Sequence, residues 1–347
     1  MDNILPQSNS YLVGHDDALG LFLSAFKNQK MHNSWIISGP QGIGKATFAY
    51  KIARFLLSVD ENQKDQYTSM NVSENDVVFK LVSSNSHPDL KIIERDYIET
   101  DKKKIIKAIK DGEILDSNEM QSLKKSSMIK VDEVRAINEF LSKKSFDGKW
   151  RIVIVDCADD MNINAANALL KVLEEPPAKS MILLISHNPN KLLPTIKSRC
   201  AKINLSALSE QNVASLLRRY RPELSETQIK ELAKISFGSI GKAIKYADND
   251  GLSLYKILEG LFFARANFDA NKALDLALMA SKDENIWELC QTLIEGFVLD
   301  MFASGEKIDQ LGDVWDKVKN IFNETISLNM DKRQALINII NMICKVL

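Results

Sequence analysis

Apolar residues follow two rhythms along this chain. From about position 33 to position 205, the short apolar runs WIIS, LKII, RIVIV and MILLI stand between amphipathic stretches. That pattern predicts buried parallel strands with helices on both sheet faces, an α/β architecture. From Ser206 onward a helical period takes over, in NVASLLRRY, TQIKELAKI, LYKILEGLFFA, IWELCQTLIEGFVLDMFA and RQALINIINMICKVL, which predicts an all-α second half. The stretch at about 58–130 fits neither rhythm. It is polar and charged, and it predicts an insertion or long loops around a single strand at 89–93. Within it, KKKIIKAIK (Lys102–Lys110) puts isoleucines on one helical face and lysines on the other. A solvated surface helix is the favoured reading, with a DNA-facing strip as the alternative.

Candidate chemistry begins at SGPQGIGKAT, Ser38–Thr47. Gly39, Gly42, Gly44 and Lys45 lie between a strand signal (NSWIISG) and a helix signal (KATFAYKIARFLL), where backbone N–H groups and a helix N-terminus can cradle phosphate. The residue after the lysine normally supplies a hydroxyl to Mg²⁺. Here it is Ala46, and Thr47 is turned about 100° further round the helix. A glycine-rich turn without a ligand is the alternative. In RIVIVDCADDMN, Asp156 ends a strand as a Walker B aspartate does, but a working ATPase would follow it with a glutamate and this chain has Cys157. Asp159 and Asp160 read as solvated turn residues. The helix in AANALLKVLEEPP is expected to stop at Pro176-Pro177.

These residues in this order resemble the clamp-loader branch of the AAA+ ATPases, over roughly positions 10–245. NALLKVLEEPP carries the likeness, as does MILLISHNPNKLLPTIKSRC, with Ser186 near the sensor 1 position and Ser198, Arg199 and Cys200 as a Ser-Arg-Cys motif. YLVGHDDAL and KMHNSW resemble the segment beside the adenine, making Val13, Gly14 and His15 candidates for a base-side pocket. FGSIGKAIKYAD resembles the lid segment, with Gly241, beside Lys242, where a motor subunit carries its sensor 2 arginine. Gly39, Gly42, Gly44, Lys45, Thr47 and Asp156 then form a degenerate nucleotide site. The resemblance implies no required cofactor, passive ATP or ADP binding at most, and an Arg199 finger acting in trans. It also implies assembly with motor subunits of the gamma/tau type and a delta-type clamp-opening subunit, reaching a sliding clamp and primed DNA through that complex. The other reading is an active P-loop ATPase that tolerates Ala46.

Composition narrows this further. The 347 residues, 45% hydrophobic, suit two or three domains, and the resemblance implies an AAA+ domain at 1–205, a helical lid at 206–250 and a helical collar at 251–347. A net charge of −1, from 45 basic and 46 acidic residues, gives no global pull toward nucleic acid or membrane, so any DNA contact is local or shared. No stretch has the run of about 20 apolar residues that a membrane span needs, and the N-terminus lacks the pattern of a secretory signal, so a cytoplasmic location is expected. Cys157, Cys200, Cys290 and Cys344 are widely spaced and read mostly as reduced core residues. The four-cysteine zinc module of motor subunits has no counterpart before the second strand, so no metal is expected.

Overall fold

Each apolar run forms a strand: β1 (Ser34–Ser38), β2 (Leu90–Ile93), β3 (Arg151–Val155) and β4 (Ser180–Ser186). In this computed structural model, which describes residues 5–111, 123–264, 268–304 and 308–346, β1, β3 and β4 are buried at every position. Burial on both faces is why they read as continuous apolar runs rather than alternating ones. A fifth strand, β5 (Ala201–Asn204), lies at the sheet edge, and Ile203 is its one fully buried residue. The strands pair in parallel in the order β2-β3-β4-β1-β5. Ser38 is in register with both Ser186 and Asn204, and Val155 with Leu184, so the loops after β1, β3 and β4 leave the sheet along one rim.

Alternate residues of each strand serve opposite faces. Ile152 and Ile154 join a core with α1 (Asp16–Lys27) and α2 (Lys45–Ser58), built around Phe22, Phe48 and Phe55. Val153 and Val155 face the other core, which includes buried residues of α5 (Val131–Ser142) and α6 (Ile163–Glu174). Asn162 caps α6 by accepting from the Ala165 N–H at 2.8 Å, and the helix ends before Pro176-Pro177.

The 58–130 stretch has more order than its polarity predicts. It contains α3 (Val77–Ser83) and α4 (Glu99–Asp111) besides β2; the expectation for 112–122 lies outside the described residues. The segment after α2 is anchored by Tyr67, whose ring packs edge-on to Phe55 at 5.4 Å, and by buried Met70. Lys51 Nζ donates to Asn71 Oδ1 at 2.5 Å. Arg54, 2% exposed, donates to the carbonyls of Gln7 and Asn9 and lies 4.7 Å from the Phe79 ring centroid. Anchors this sparse leave no periodic signal.

Contacts divide the chain into two units, Met1–Ala207 and Leu208–Leu347, so the stretches expected as lid and collar fall in one unit. That unit consists of helices among the described residues: α8 (Glu210–Tyr220), α9 (Glu226–Ile235), α10 (Ile240–Asp248), α11 (Gly251–Phe263), α12 (Ala270–Lys282), α13 (Glu284–Ser304), α14 (Ile308–Ser327) and α15 (Lys332–Val346). Ser209, Ser225 and Ser239 cap the first three helices. The core holds Trp287 against Phe322 at 5.4 Å and Phe262 against Phe297 at 5.2 Å. Among the described residues no helix is long and apolar enough to cross a membrane.

Candidate functional site

Between Ser38 and α2 the chain turns through three glycines at positive φ: Gly39 at 146°, Gly42 at 76° and Gly44 at 101°. A Cβ on Gly39 would lie 2.2 Å from the Leu205 carbonyl oxygen, so no other residue fits there. His15, 5% exposed, places Nε2 2.8 Å from the Ile43 carbonyl oxygen, so the VGH segment does reach this loop. Lys45 is 3% exposed, and its ammonium donates to the carbonyls of Gly39 at 2.6 Å and Pro40 at 2.5 Å. Burial lowers its pKa to about 8, against the opposing pull of Cys157, Asp159 and Asp156.

Ala46 packs against the core and, with Asp156, Tyr50 and Glu94, lines a cavity of about 590 Å³. Thr47 is buried. Desolvation raises the pKa of Asp156, with the negative charge of Glu94 adding to the shift and His187 opposing it. These residues do not fit a catalytic Mg²⁺, which needs a set of hard oxygen ligands. Ala46 offers none at the position after the lysine, and among the described residues no group of three or more His, Cys, Asp or Glu side chains is placed to hold a metal ion.

Cys157 adopts the left-handed conformation, with φ 56° and ψ 56°. Its Sγ lies 3.4 Å from His187 Nε2 at the end of β4. Burial and Asp156 push the thiol pKa up to about 12, and burial lowers that of His187, so this pair is an uncharged thiol beside a neutral imidazole at neutral pH.

Asp159 overturns its sequence reading as a solvated turn residue. Its carboxylate accepts from Ser186 Oγ at 2.6 Å and from the backbone N–H groups of His187 and Asn188. It therefore fixes the end of β4 and occupies the Ser186 hydroxyl. Asp160, in turn, lies 3.5 Å from Arg95 Nε. Contacts nearly thirty residues apart in sequence, such as Asp159 with Asn188, are invisible to local pattern.

The Ser-Arg-Cys motif follows α7 (Pro194–Lys197). Cys200 is buried, and Ser198 Oγ donates to the Thr195 carbonyl at 3.0 Å. Arg199 Nη1 donates to the same carbonyl at 2.9 Å, and Nη2 pairs with Glu174 Oε1 at 2.7 Å. Glu174 is the first glutamate of the Glu-Glu-Pro-Pro segment, and no local pattern in the sequence marks it for this contact. Of the other cysteines, Cys290 is buried and Cys157 and Cys344 are half-buried. Gly241 and Lys242 lie in α10 of the second unit, where burial lowers the pKa of Lys242.

A glycine loop after β1, an aspartate at the end of β3 and an arginine motif before β5, on a sheet of this order, make the first unit an AAA+-type P-loop module. The family model described as DNA polymerase III, delta subunit matches residues 14–209. The chain is 30% identical to the DNA polymerase III delta-prime subunit of Pseudomonas aeruginosa, over 60% of this chain and 53% of that protein. It is 24% identical to the delta-prime subunit of Bacillus subtilis, over 66% of this chain and 58% of that one. With the tau/gamma subunit of Haemophilus influenzae it shares 26% identity over 70% of this chain and 31% of that protein. Against the two delta-prime subunits the match spans little more than half of the relative's length. A solved DNA polymerase III gamma subunit-related protein from Thermotoga maritima aligns over 93% of this chain and 99% of its own, at 18% identity and a TM-score of 0.40. The chain belongs to the DNA polymerase III delta-subunit family.

Proposed function

We propose that this chain serves in a clamp loader as a non-hydrolysing AAA+ subunit that lends Arg199 to the ATP site of a neighbouring motor subunit. One observation carries the first half of this reading: the positions that would ligate Mg²⁺ and activate water hold Ala46 and an uncharged Cys157. Neither side chain can take the part of the oxygen it replaces. The glycine loop keeps a phosphate-compatible course, so passive ATP or ADP binding is part of the proposal. A phosphate must then draw Lys45 away from the carbonyls of Gly39 and Pro40.

Arg199 supports the second half. Its side chain is 35% exposed, and its guanidinium is held by Thr195 and Glu174, so a permanent charge is kept at the surface in a defined direction. Fingers of this kind are worth about 10³ to 10⁵ in rate. The partners in this reading are motor subunits of the gamma/tau type and a delta subunit, and the complex acts on a sliding clamp and primed DNA.

The test pairs two measurements. The purified chain is titrated calorimetrically with ATP, with and without Mg²⁺, while phosphate release is followed; the expected result is no turnover. Turnover by the chain alone that disappears in Lys45→Ala would overturn the non-hydrolysing reading and favour an active ATPase. The chain is then assembled with motor and delta subunits, and the ATPase of the complex is compared with that of an Arg199→Lys complex. Equal rates would remove the finger.

A further inference from the structure

The excursion between β2 and α5 is closed at its neck. The Ile98 N–H donates to the Lys124 carbonyl at 2.9 Å, the Ser126 N–H to the Asp96 carbonyl at 2.7 Å, and Tyr97 bridges Lys125 in antiparallel fashion. Buried Asp101 accepts from the Lys124 N–H at 2.8 Å, tying the first turn of α4 to the returning strand. α4 is therefore carried on a hydrogen-bonded stem.

Its lysines divide into two groups. Lys102 pairs with Asp96, Lys104 with Asp101 at 3.1 Å, and from the stem and its flank Lys125 pairs with Glu94 at 2.6 Å and Lys130 with Glu99 at 3.7 Å. Lys103, Lys107 and Lys110 are exposed and, among the described residues, have no acidic partner. At 100° per residue these three fall within about 60° of one another, opposite the buried positions Asp101 and Ala108, and they span about 10 Å of helix axis. The first group holds the module in place, and the second forms a file of charge facing solvent.

We propose that Lys103, Lys107 and Lys110 form a docking strip for the phosphate backbone of duplex DNA. One strand presents a phosphate about every 3.4 Å along the duplex axis, so a file of this length meets several of them. The strip lacks what a protein interface is built on. Lysine is depleted in such interfaces, which are anchored by aromatic or apolar side chains, and among the described residues the one large exposed apolar neighbour on this face is Ile106, 44% exposed. Phosphate contact needs charge and register but no anchor, and it gives affinity without sequence preference. The chain's net charge of −1 makes this concentration local rather than a reflection of overall composition.

The choice of DNA rests on the clamp-loader reading, but the strip can fail separately. Binding of the full chain to a short fluorescein-labelled duplex is followed by anisotropy across a salt series. The triple variant Lys103→Gln/Lys107→Gln/Lys110→Gln is expected to bind at least about tenfold more weakly near 0.1 M salt, with the log–log salt slope reduced by about 2 to 3. A control on a comparable exposed pair, Lys230→Gln/Lys234→Gln on α9, should leave both unchanged. An unchanged slope in the triple variant, or an equal loss in the control, overturns the strip. Loss of polyglutamate binding in the triple variant with no duplex binding in the wild type overturns it in favour of an acidic protein. A triple variant that loses duplex binding while Arg199→Lys leaves the complex's ATPase unaltered sinks the finger and spares the strip; the reverse pattern does the opposite.

Discussion

At the nucleotide corner Lys45 is 3% exposed, and its ammonium is bound to the carbonyls of its own loop; at the Ser-Arg-Cys corner Arg199 is 35% exposed, with its guanidinium set against Glu174 at the surface. Both cations have partners in the same unit. The difference lies in what a newcomer must displace. A phosphate at Lys45 competes with two loop carbonyls in a site that offers little to Mg²⁺, whereas an anion beside Arg199 meets an oriented charge at the edge of solvent. Retention of both motifs in the sequence therefore does not imply two working sites.

The largest expected effect breaks the comparison at the exposed corner. Arg199→Ala should lower the ATPase of the assembled complex about 10³-fold while leaving the chain's fold intact. Circular dichroism and steady-state phosphate release separate these effects.

Next comes Asp159→Ala, which removes the acceptor for Ser186 Oγ and two backbone N–H groups. A loss of about 3 kcal/mol in denaturant unfolding is expected: hydrogen bonds to a charged group are each worth about 1.5 to 3 kcal/mol, and at this half-buried position water replaces part of the three that are lost. An unchanged midpoint would return Asp159 to the class of solvated turn residues.

Lys45→Met sharpens the contrast through pH. A lysine whose folded pKa is about 8 and whose unfolded value is 10.5 binds fewer protons when folded, so it destabilises the fold fully below pH 8 and less and less up to 10.5. The stability difference between the variant and wild type should therefore move in favour of wild type by about 2 to 3 kcal/mol as pH rises through this window, because the penalty on the buried ammonium is relieved while the variant has no such group to titrate. Chemical melts at pH 7 and pH 10 measure the difference directly, and a constant offset would contradict the buried-ammonium account.

The smallest effect is Ala46→Thr, expected to make nucleotide binding tighten about tenfold on adding Mg²⁺, worth about 1.4 kcal/mol. Wild type should show no such dependence by calorimetry. A Mg²⁺ response already present in wild type would mean that the ion finds its ligands without this hydroxyl.

Much of the α/β unit was legible because burial on both faces writes itself as unbroken apolar runs. RIVIV is β3 from end to end, and the helix after Asp156 stops where Pro176 requires. β5 escaped notice because an edge strand with one fully buried residue has no such run. At the site, the loop, Asp156 and the missing hydroxyl could be read from spacing alone. The contacts of Asp159 with β4, of Cys157 with His187 and of Arg199 with Glu174 could not, because each joins residues brought together by the sheet rather than by sequence distance. In the 58–130 stretch the order comes from Tyr67, Met70, Arg54 and a hydrogen-bonded neck, which leave no period to find.

Gly39 shows that a binding signature need not report a ligand. Its side-chain space is taken by the Leu205 carbonyl oxygen, so steric fit within the unit demands glycine there whether or not a nucleotide ever arrives. A motif search that scores this glycine as a mark of phosphate binding is measuring, in this chain, the clearance between two stretches of backbone.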